Sequence, residues 1–385
     1  MKLIKPQDSR SALAVPENIP EGITEVDEAI FSSITDFELT PEQRDRIIHP
    51  SAVFPREKTL LAVHWHPEFV PMDLIERRIS AMFPNVEDSL IIPTQHNVLM
   101  HWNEFAGVEV DCYSRGFNQK VQLLLHFRKE RLDSADVLKS MLRHTFQYRS
   151  SQLFEYIGAI TRPNEDWIGT AADSTGADAA LVRFVQIHVK KIQALLERRM
   201  DSLPDFAIKN KLIREFFDGL RPTYGNRLIS RAQMFLTAVK QMVKANFSSR
   251  YFYRTSEIIE EARSLNAGIV IPHPEQFWPI LLAEYDVDGY EIWNPQSRRY
   301  TEFLISVLKE KNGKRGPGRR DLLVFMGDDT HMGEKVKGPA VQDPVKAVRE
   351  IGVQPAWEDL NIRKQLISAN IDKAGLIRQY RDRLT

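Results

Sequence analysis

The sequence is poor in cysteine, and this limits how the fold can be held together. Cys112 is the only cysteine among 385 residues, so no intrachain disulfide can form and we expect a reducing, cytoplasmic setting. No apolar run approaches the roughly 18 residues needed to span a bilayer, so no membrane partner is expected. The first ten residues, MKLIKPQDSR, lack a long apolar core, and we therefore expect no secretory signal.

The chain also lacks an excess of charge of either sign. It has 52 Lys and Arg residues against 52 Asp and Glu residues, so the molecule as a whole is not a polycation built for nucleic acid. The charge is nevertheless uneven, because residues 181–254 contain fifteen Lys and Arg residues against five acids. This segment could hold a nucleic acid strand, bind an acidic partner, or simply present charged helix faces to solvent.

The pattern of apolar and polar residues divides the chain into five successive segments. Short apolar runs bounded by polar residues predict buried parallel strands in two of them, and helical spacing of apolar residues predicts a helix-rich segment between those two. A strand–helix–strand unit is expected where DLIERRISAMF lies between TLLAVHWH and SLIIPTQHN. The predicted divisions are an N-terminal arm (1–55), a first sheet segment (56–132), a helical insertion (133–262), a second sheet segment (263–335) and a helical tail (336–385).

Histidine and acidic residues concentrate at the ends of the predicted strands. These are His64, His66, His96, His126, His273 and His331, with the acids Glu109, Glu291, Asp328 and Asp329. The carboxyl ends of the strands of a parallel α/β barrel converge on one mouth, so residues distant in sequence can share one pocket there. Imidazole together with carboxylate suits Zn²⁺, Mn²⁺ or iron. The sequence therefore predicts a metal site.

In their order and strand context, these motifs resemble those of the PHP (polymerase and histidinol phosphatase) superfamily of metal-dependent phosphoesterases. The matching motifs are His64-Trp65-His66, Thr94-Gln95-His96-Asn97, Gly107-Val108-Glu109, His126, Ile271-Pro272-His273-Pro274, Gly289-Tyr290-Glu291-Ile292 and Gly327-Asp328-Asp329-Thr330-His331. The resemblance covers residues 59–131 and 267–334. It implies an α/β fold, a distorted (β/α)7 TIM-like barrel of PHP type, interrupted by a large all-α insertion.

The resemblance also implies two or three divalent ions (Mn, Zn or Fe) and their ligands. The implied ligands are His64, His66, Glu109 and Asp329 for the first ion, Glu109, His126 and His273 for the second, and His96 and His331 for the third. The third ion needs one more ligand from the loop after the first motif. That loop is shortened here to PEFVPMD, and we expect Glu68 to serve, because Asp73 suits a helix cap better.

The implied chemistry is attack of a metal-bridging hydroxide on phosphorus, with no side-chain nucleophile. Asp328 is a candidate proton donor to the leaving group, and Glu291 is expected to act as a catalytic residue or to orient a liganding histidine. Cys112 is expected to be a small packed residue. Four cations that follow Glu109 and Glu291 could bind phosphate, namely Arg115, Lys120, Arg298 and Arg299.

Three functions fit this pattern. The first is a phosphomonoesterase acting on a nucleotide or another small phosphorylated metabolite. The second is a nuclease or phosphodiesterase that holds nucleic acid through residues 181–254. The third is a metal-binding regulatory protein with reduced activity. The near-complete set of metal ligands favours an enzyme over the third interpretation.

Overall fold

The computed structural model describes residues 15–316, 318–339 and 342–385. The expectations about the first fourteen residues, including the absence of a secretory signal, lie outside the described residues. The chain divides into two compact units. One, the helical unit, contains residues 15–37 and 149–247, and the other, the sheet unit, contains residues 38–148 and 248–385.

Helices account for most of the regular structure in the described part of the chain. The α-helices are α1 (Glu25–Thr35), α2 (Pro41–Ile48), α3 (Met72–Met82), α4 (Asp136–Thr161), α5 (Glu165–Thr175), α6 (Ala179–Arg199), α7 (Lys211–Gly219), α8 (Arg221–Tyr224), α9 (Asn226–Asn246), α10 (Thr255–Ser264), α11 (Thr301–Gly313), α12 (Met332–Val336), α13 (Pro344–Ala347), α14 (Leu360–Ser368) and α15 (Lys373–Arg383). Short 3₁₀ segments lie at Lys129–Ser134, Met200–Ser202, Asp205–Ala207, Ser249–Tyr251, Pro274–Leu282, Arg298–Tyr300 and Pro355–Trp357. None of these helices is both long enough and apolar enough to cross a membrane.

The strands of the sheet unit form one large sheet and two small ones. The strands are β1 (Thr59–Ala62), β2 (Trp65–His66), β3 (Asp88–Ile91), β4 (Met100–Trp102), β5 (Phe105–Ser114), β6 (Gln119–Arg128), β7 (Gly268–Ile271), β8 (Gly289–Trp293), β9 (Leu323–Met326) and β10 (Thr330–His331). The large sheet has the order β4-β5-β6-β7-β8-β9, while β1 pairs with β3 and β2 pairs with β10. Strand β1, helix α3 and the parallel strand β3 form the expected strand–helix–strand unit.

The predicted distorted (β/α)7 TIM-like barrel is wrong, because the described strands form a mixed α/β arrangement of small sheets without a closed barrel. The physical reason lies in β5 and β6, which pair in antiparallel fashion over ten residues each. A parallel barrel needs a helix between successive strands, but only residues 115–118 separate β5 from β6. Strand β6 is also antiparallel to β7, so parallel pairing within the large sheet is confined to β7, β8 and β9.

Each unit has its own apolar core. In the helical unit, apolar faces of α1, α4, α5, α6, α7 and α9 meet around fully buried residues such as Phe184, Phe216 and Phe235. In the sheet unit, the long hairpin of β5 and β6 supplies continuous buried runs, including Val108, Val110 and Leu123 through Leu125. Burial on both faces explains the apolar run Leu123 through Leu125 in β6, which reads like part of a parallel strand, whereas Glu109 and Asp111 interrupt the apolar residues of β5.

Candidate metal centre

The short segment after β1 delivers two imidazoles to one place. In extended backbone, successive side chains alternate between faces, and the rings of His64 and His66 lie with centroids 5.4 Å apart. Trp65 between them is fully buried, and its indole nitrogen donates to the Ala62 carbonyl oxygen at 3.2 Å. The core contact of Trp65 therefore fixes the direction of both histidines.

Backbone pairing brings two more imidazoles beside His66. In the pair formed by β2 and β10, His66 lies opposite His331, and their rings stack with centroids 4.4 Å apart. A β-bridge joins His96 to Glu109, and the His96 ring also stacks with His66 at 4.4 Å and lies 5.9 Å from the His331 ring. The three rings are thus ordered by the backbone and not by side-chain contacts alone.

Seven side chains meet here, and we call them the histidine–carboxylate cluster. The members are His64, His66, His96, Glu109, His273, Asp329 and His331. Their donor atoms form three overlapping groups, within each of which all atoms lie within 4.8 Å of one another. The groups are His66 with His96 and His331, His64 with His66 and Asp329, and His64 with Glu109 and His273.

Glu109 lies at the centre of one side of the cluster. Its Oε1 atom is 3.4 Å from Nε2 of His273 and 4.0 Å from Nε2 of His64. Its Oε2 atom is 2.5 Å from Nδ1 of His96 and 3.6 Å from Nε2 of His66. One carboxylate therefore faces four imidazoles, which is the arrangement expected of a bridging ligand.

Asp329 has the equivalent position on the other side. Its Oδ1 atom lies 3.4 Å from Nε2 of His66, 3.5 Å from Nε2 of His331 and 3.7 Å from Nε2 of His64. The other carboxylate oxygen, Oδ2, accepts hydrogen bonds at 2.7 Å from the Gln296 amide and the Arg349 guanidinium. These two donors hold one oxygen, so that the other is directed at the three imidazoles.

Polar atoms of the cluster are buried without hydrogen-bond partners among the described residues. These atoms are Nε2 of His64, both ring nitrogens of His66, Nδ1 of His96, both carboxylate oxygens of Glu109 and Nδ1 of His273. An unsatisfied buried polar group costs about 1–3 kcal/mol, and more when it is charged. A bound cation would satisfy the donor atoms that face one another, and imidazole nitrogens with carboxylate oxygens are the donors that Zn²⁺, Mn²⁺ and Fe²⁺ accept.

Glu291 contacts two members of the cluster, His64 and His273, and holds them in place. Its Oε1 atom lies 2.6 Å from Nδ1 of His64, and Oε2 accepts from the backbone nitrogen of His273 at 3.0 Å. The bond to Nδ1 leaves Nε2 of His64 facing the cluster. Gly327 makes room for this carboxylate, since a Cβ atom at that position would overlap Glu291. The glycine before the two aspartates is therefore required by Glu291.

Charge interactions in the cluster keep its acids ionised and shift the pKa values of His66 and His64 in opposite directions. Burial opposes ionisation of Glu109, but the neighbouring His96, His273 and His66 hold its pKa well below the usual range. Burial and the nearby His331 and His96 lower the pKa of His66 to about 3. Burial would also lower the pKa of His64, but Glu291 and the cluster carboxylates outweigh it and raise that pKa to about 10. The anionic carboxylates and the neutral imidazole of His66 suit cation binding, and a cation bound at Nε2 of His64 would displace the proton from that nitrogen.

The structure does not bring His126 or Glu68 into the cluster. His126 contacts the Tyr380 hydroxyl through Nδ1 at 2.6 Å and the Val63 carbonyl oxygen through Nε2 at 2.9 Å, so both ring nitrogens are occupied. Glu68 contacts Nδ1 of His331 at 3.1 Å and accepts from the backbone nitrogen of Gly333 at 2.8 Å. Glu68 therefore orients a cluster histidine from outside.

Asp328 is engaged by backbone donors. Its two carboxylate oxygens accept from the nitrogens of Thr330 at 3.1 Å and Gly352 at 2.9 Å. Burial raises its pKa to about 7, against the effect of these donors. Cys112 is likewise fully buried, and burial raises its pKa to about 12, so its thiol is unsuited to nucleophilic attack.

The four cations expected to bind phosphate have varied surroundings. Arg115 is exposed in the turn between β5 and β6, six residues beyond Glu109, which is about 20 Å along an extended strand. Lys120 pairs with the buried Asp111 at 2.7 Å. Arg298 and Arg299 are exposed and lie over the rings of Trp293 and Tyr300. Among the described residues, none of the four forms a hydrogen bond or ion pair with a member of the cluster.

Several residues near the cluster were not predicted from the sequence. Arg349 and Gln296 hold Asp329, and Tyr380 from α15 contacts His126. Glu275, two residues after His273, is buried at both carboxylate oxygens without a hydrogen-bond partner in the described chain. Burial raises the pKa of Glu275. None of these residues belongs to a recurring motif, although the position of Glu275 directly after His-Pro was a usable signal.

Comparison with known proteins adds little. No family model matches the chain, and no curated protein matches it. Among solved structures, one similar protein is described as a candidate metal-dependent phosphoesterase from Bifidobacterium adolescentis. It is 16% identical, with a TM-score of 0.40, and the similarity covers 84% of this chain and 100% of that one. The chain itself is a mixed α/β protein with histidine and carboxylate groups that could bind metal ions.

Proposed function

We propose that this protein is a metal-dependent hydrolase of phosphate esters, of the PHP type, acting on a phosphomonoester of a nucleotide or another small metabolite. One observation carries the proposal. Five imidazoles and two carboxylates, from segments up to 267 positions apart in sequence, converge on one place. Buried atoms of His64, His66, His96, Glu109 and His273 have no hydrogen-bond partner in the described residues.

The proposed ligand set holds at least two divalent ions. His64, Glu109 and His273 would hold one, and His66, Asp329 and His331 would hold another, with His96 beside the second. His126 and Glu68 would act outside these sites, because His126 is bonded through both ring nitrogens and Glu68 contacts a liganding histidine. Mixed nitrogen and oxygen ligands favour Zn, Mn or Fe over Mg or Ca.

When bound, the ions would supply a water of lowered pKa and neutralise phosphoryl charge. The protein's own contribution is to fix the ligands. Glu291 keeps Nε2 of His64 directed at the cluster, while Gln296 and Arg349 keep Oδ1 of Asp329 directed there. We assign Asp328 to holding the loops of Thr330 and Gly352. Glu275 is the better-placed candidate to donate a proton to the leaving group.

Limited access to the cluster supports a monoester substrate. The side chains of His64, His66 and Glu109 are at most 1% exposed, whereas those of His96 and His331 are 27% and 17% exposed. A substrate would therefore approach past His96 and His331. Such a narrow approach suits a terminal phosphate better than a phosphate within a polymer.

The basic segment 181–254 gives no specific support to nuclease activity. Within the helical unit, Lys191 pairs with Asp27 at 2.8 Å, and Arg199 pairs with Glu28 at 2.7 Å. Further pairs join Arg198 to Glu28, Lys211 to Glu215 and Arg221 to Asp218. Much of the local positive charge is thus matched by acids of the same unit.

The test combines metal analysis with a substrate panel. Purified protein, loaded with Zn²⁺, Mn²⁺ or Fe²⁺, is assayed against phosphomonoesters, phosphodiesters and nucleic acids, and its bound metal is measured by mass spectrometry. We expect two or more ions per chain and hydrolysis of monoesters. His64→Ala should lose metal and activity, while His101→Ala, a change at an exposed histidine outside the cluster, should keep both. A folded His64→Ala protein with full metal content and activity would refute the proposal.

A further inference from the structure

A second cavity lies in the sheet unit, away from the histidine–carboxylate cluster. It has a volume of about 1290 Å³. The segment Pro274–Leu282 and the loop after it form one side, and helix α11 and the loop after it form the other. Ligand pockets are commonly about 300–1,000 Å³, so this cleft has room for a nucleotide-sized molecule. We call it the basic cleft.

The strand directions place the basic cleft near the amino-terminal ends of β8 and β9, whereas the cluster lies at the carboxyl ends of β7 and β9. Strands β7, β8 and β9 run parallel. The cleft is lined by Asp288 and Leu322, which precede β8 and β9, whereas the cluster residues His273 and Asp329 follow β7 and β9. No residue that lines the cleft belongs to the histidine–carboxylate cluster, so the two places are distinct, although Tyr290 of the cleft directly precedes Glu291, which contacts His64.

One wall of the basic cleft is apolar and exposed. Leu282 is 80% exposed, Phe303 is 53% exposed and Trp278 is 36% exposed. The rings of Trp278 and Phe303 meet edge to face with centroids 5.7 Å apart. Large apolar side chains grouped around one cavity, and not scattered singly, indicate a binding surface.

The other wall carries surplus positive charge. Seven Lys and Arg residues line the cleft against four Asp and Glu residues. The acids are largely neutralised within the cleft: Arg263 pairs with Asp286 and Asp288, Arg383 also pairs with Asp288, and Lys314 pairs with Glu310.

Three arginines of the cleft are left without ion pairs in the described part of the chain. They are Arg315, Arg319 and Arg320, which follow α11. Burial lowers the pKa of the adjacent Lys311, and the charges of Arg315 and Lys314 act in the same direction although Glu284 opposes them. Several neighbouring positive charges without acidic partners indicate a site for an anion that carries several negative charges.

We propose that the basic cleft binds a small organic polyphosphate with an aromatic ring, of the nucleoside triphosphate class. The ring would lie against Trp278 and Phe303, and the phosphates against Arg315, Arg319 and Arg320. Charge complementarity requires several negative charges, and the exposed aromatic wall requires a ring, so neither inorganic polyphosphate nor an apolar ligand fits both walls. The inference does not depend on the function proposed for the cluster.

Isothermal titration calorimetry on the full chain tests this, with ATP, inorganic triphosphate and a short single-stranded oligonucleotide as probes in magnesium-free buffer. The measurements are repeated in a Glu109→Gln background, so that binding at the cluster does not contribute. We expect saturable ATP binding in both backgrounds. Arg319→Glu/Arg320→Glu should weaken it at least about tenfold, and both residues are exposed, so the fold should survive.

Two further variants make the result decisive. Lys364→Glu/Arg378→Glu makes the same charge change at exposed positions outside the cleft and should leave ATP binding unchanged. Phe303→Ala should weaken ATP at least about fivefold and leave triphosphate unaffected. The proposal is overturned if ATP does not bind, if both double variants weaken it equally, if triphosphate binds as tightly as ATP, or if only the oligonucleotide binds.

Discussion

One buried carboxylate in each unit shows two different ways of being partnered. In the helical unit, Asp27 and Lys191 are both buried and pair at 2.8 Å, and Asp27 also accepts from the backbone nitrogen and hydroxyl of Thr24. In the sheet unit, Glu109 is equally buried, yet neither of its oxygens makes a hydrogen bond of ordinary geometry among the described residues, although Oε2 lies 2.5 Å from Nδ1 of His96. Asp27 is thus satisfied within the fold, whereas the oxygens of Glu109 are placed where a bound cation would satisfy them.

The largest expected effect is that of Glu109→Gln in the sheet unit. Removing the charge that faces four imidazoles should lower bound metal by at least one ion per chain. We expect phosphatase activity to fall at least about a thousandfold. Metal analysis and initial rates measure this, with Glu104→Gln, at an exposed position near the same hairpin, as the matched control. Unchanged metal content in a folded Glu109→Gln protein would show that the cluster is not a metal site.

The contrasting change in the helical unit is Asp27→Ala. It leaves Lys191 buried without its partner, and breaking a buried ion pair costs about 3–5 kcal/mol of unfolding free energy. Urea unfolding should show this loss while metal content stays unchanged. The double variant Asp27→Leu/Lys191→Met should recover most of the stability. A single variant as stable as the wild type would contradict the structural role given to this pair.

A smaller effect is expected from Glu291→Gln, because Glu291 contacts His64 and His273 and would not contact a bound ion. Loss of its charge should weaken metal affinity about 10- to 100-fold. Competition with a metal chelator measures the affinity. Tyr380→Phe removes the contact to His126, which lies outside the cluster, and should leave the affinity unchanged. Equal effects of the two substitutions would argue that His126 also binds metal.

The smallest effect concerns His188, which is fully buried in the helical unit and contacts the Phe184 carbonyl oxygen through Nδ1 at 2.9 Å. Burial lowers its pKa from 6.5 to about 4, and nearby Lys191 acts in the same direction while Asp27 opposes it. The unfolded chain therefore binds more protons between these pH values. The free energy of unfolding that depends on neutral His188 is fully present above pH 6.5 and is lost as the pH falls toward 4.

His188→Phe should remove this pH dependence while changing stability near pH 7 by less than about 1.5 kcal/mol. Urea midpoints of the two proteins, measured from pH 7 down to pH 4.5, test this. The wild type should lose more stability than the variant on acidification. Parallel curves would show that His188 is not buried in its neutral form.

The sequence was more informative about the cluster than about the fold. Seven of the nine side chains expected to be ligands come together, because histidine and acid at strand ends mark positions that the backbone must expose to one another. The same strand-end pattern does not show whether the strands close into a barrel. A strand buried on both faces, such as β6, has the same kind of apolar run as a parallel strand, and the short turn at residues 115–118 is the signal that β5 and β6 form a hairpin.

The supporting residues were hidden for a different reason. Arg349 holds Asp329 from a position twenty residues later, and Tyr380 contacts His126 from 254 positions away. Neither residue lies on a repeating pattern or beside a motif. Such contacts depend on how the tail packs, which periodicity along the chain does not specify.

Strand β8 links the histidine–carboxylate cluster and the basic cleft in a way that substitutions alone would not reveal. Tyr290 lines the basic cleft, and the next residue, Glu291, supports His64. A one-residue slip in a strand moves every side chain to the opposite face. A single insertion or deletion within β8 would therefore disable both places together, whereas point changes could alter each one separately. Variation in length at β8 should accordingly be far less tolerated than variation in side chain.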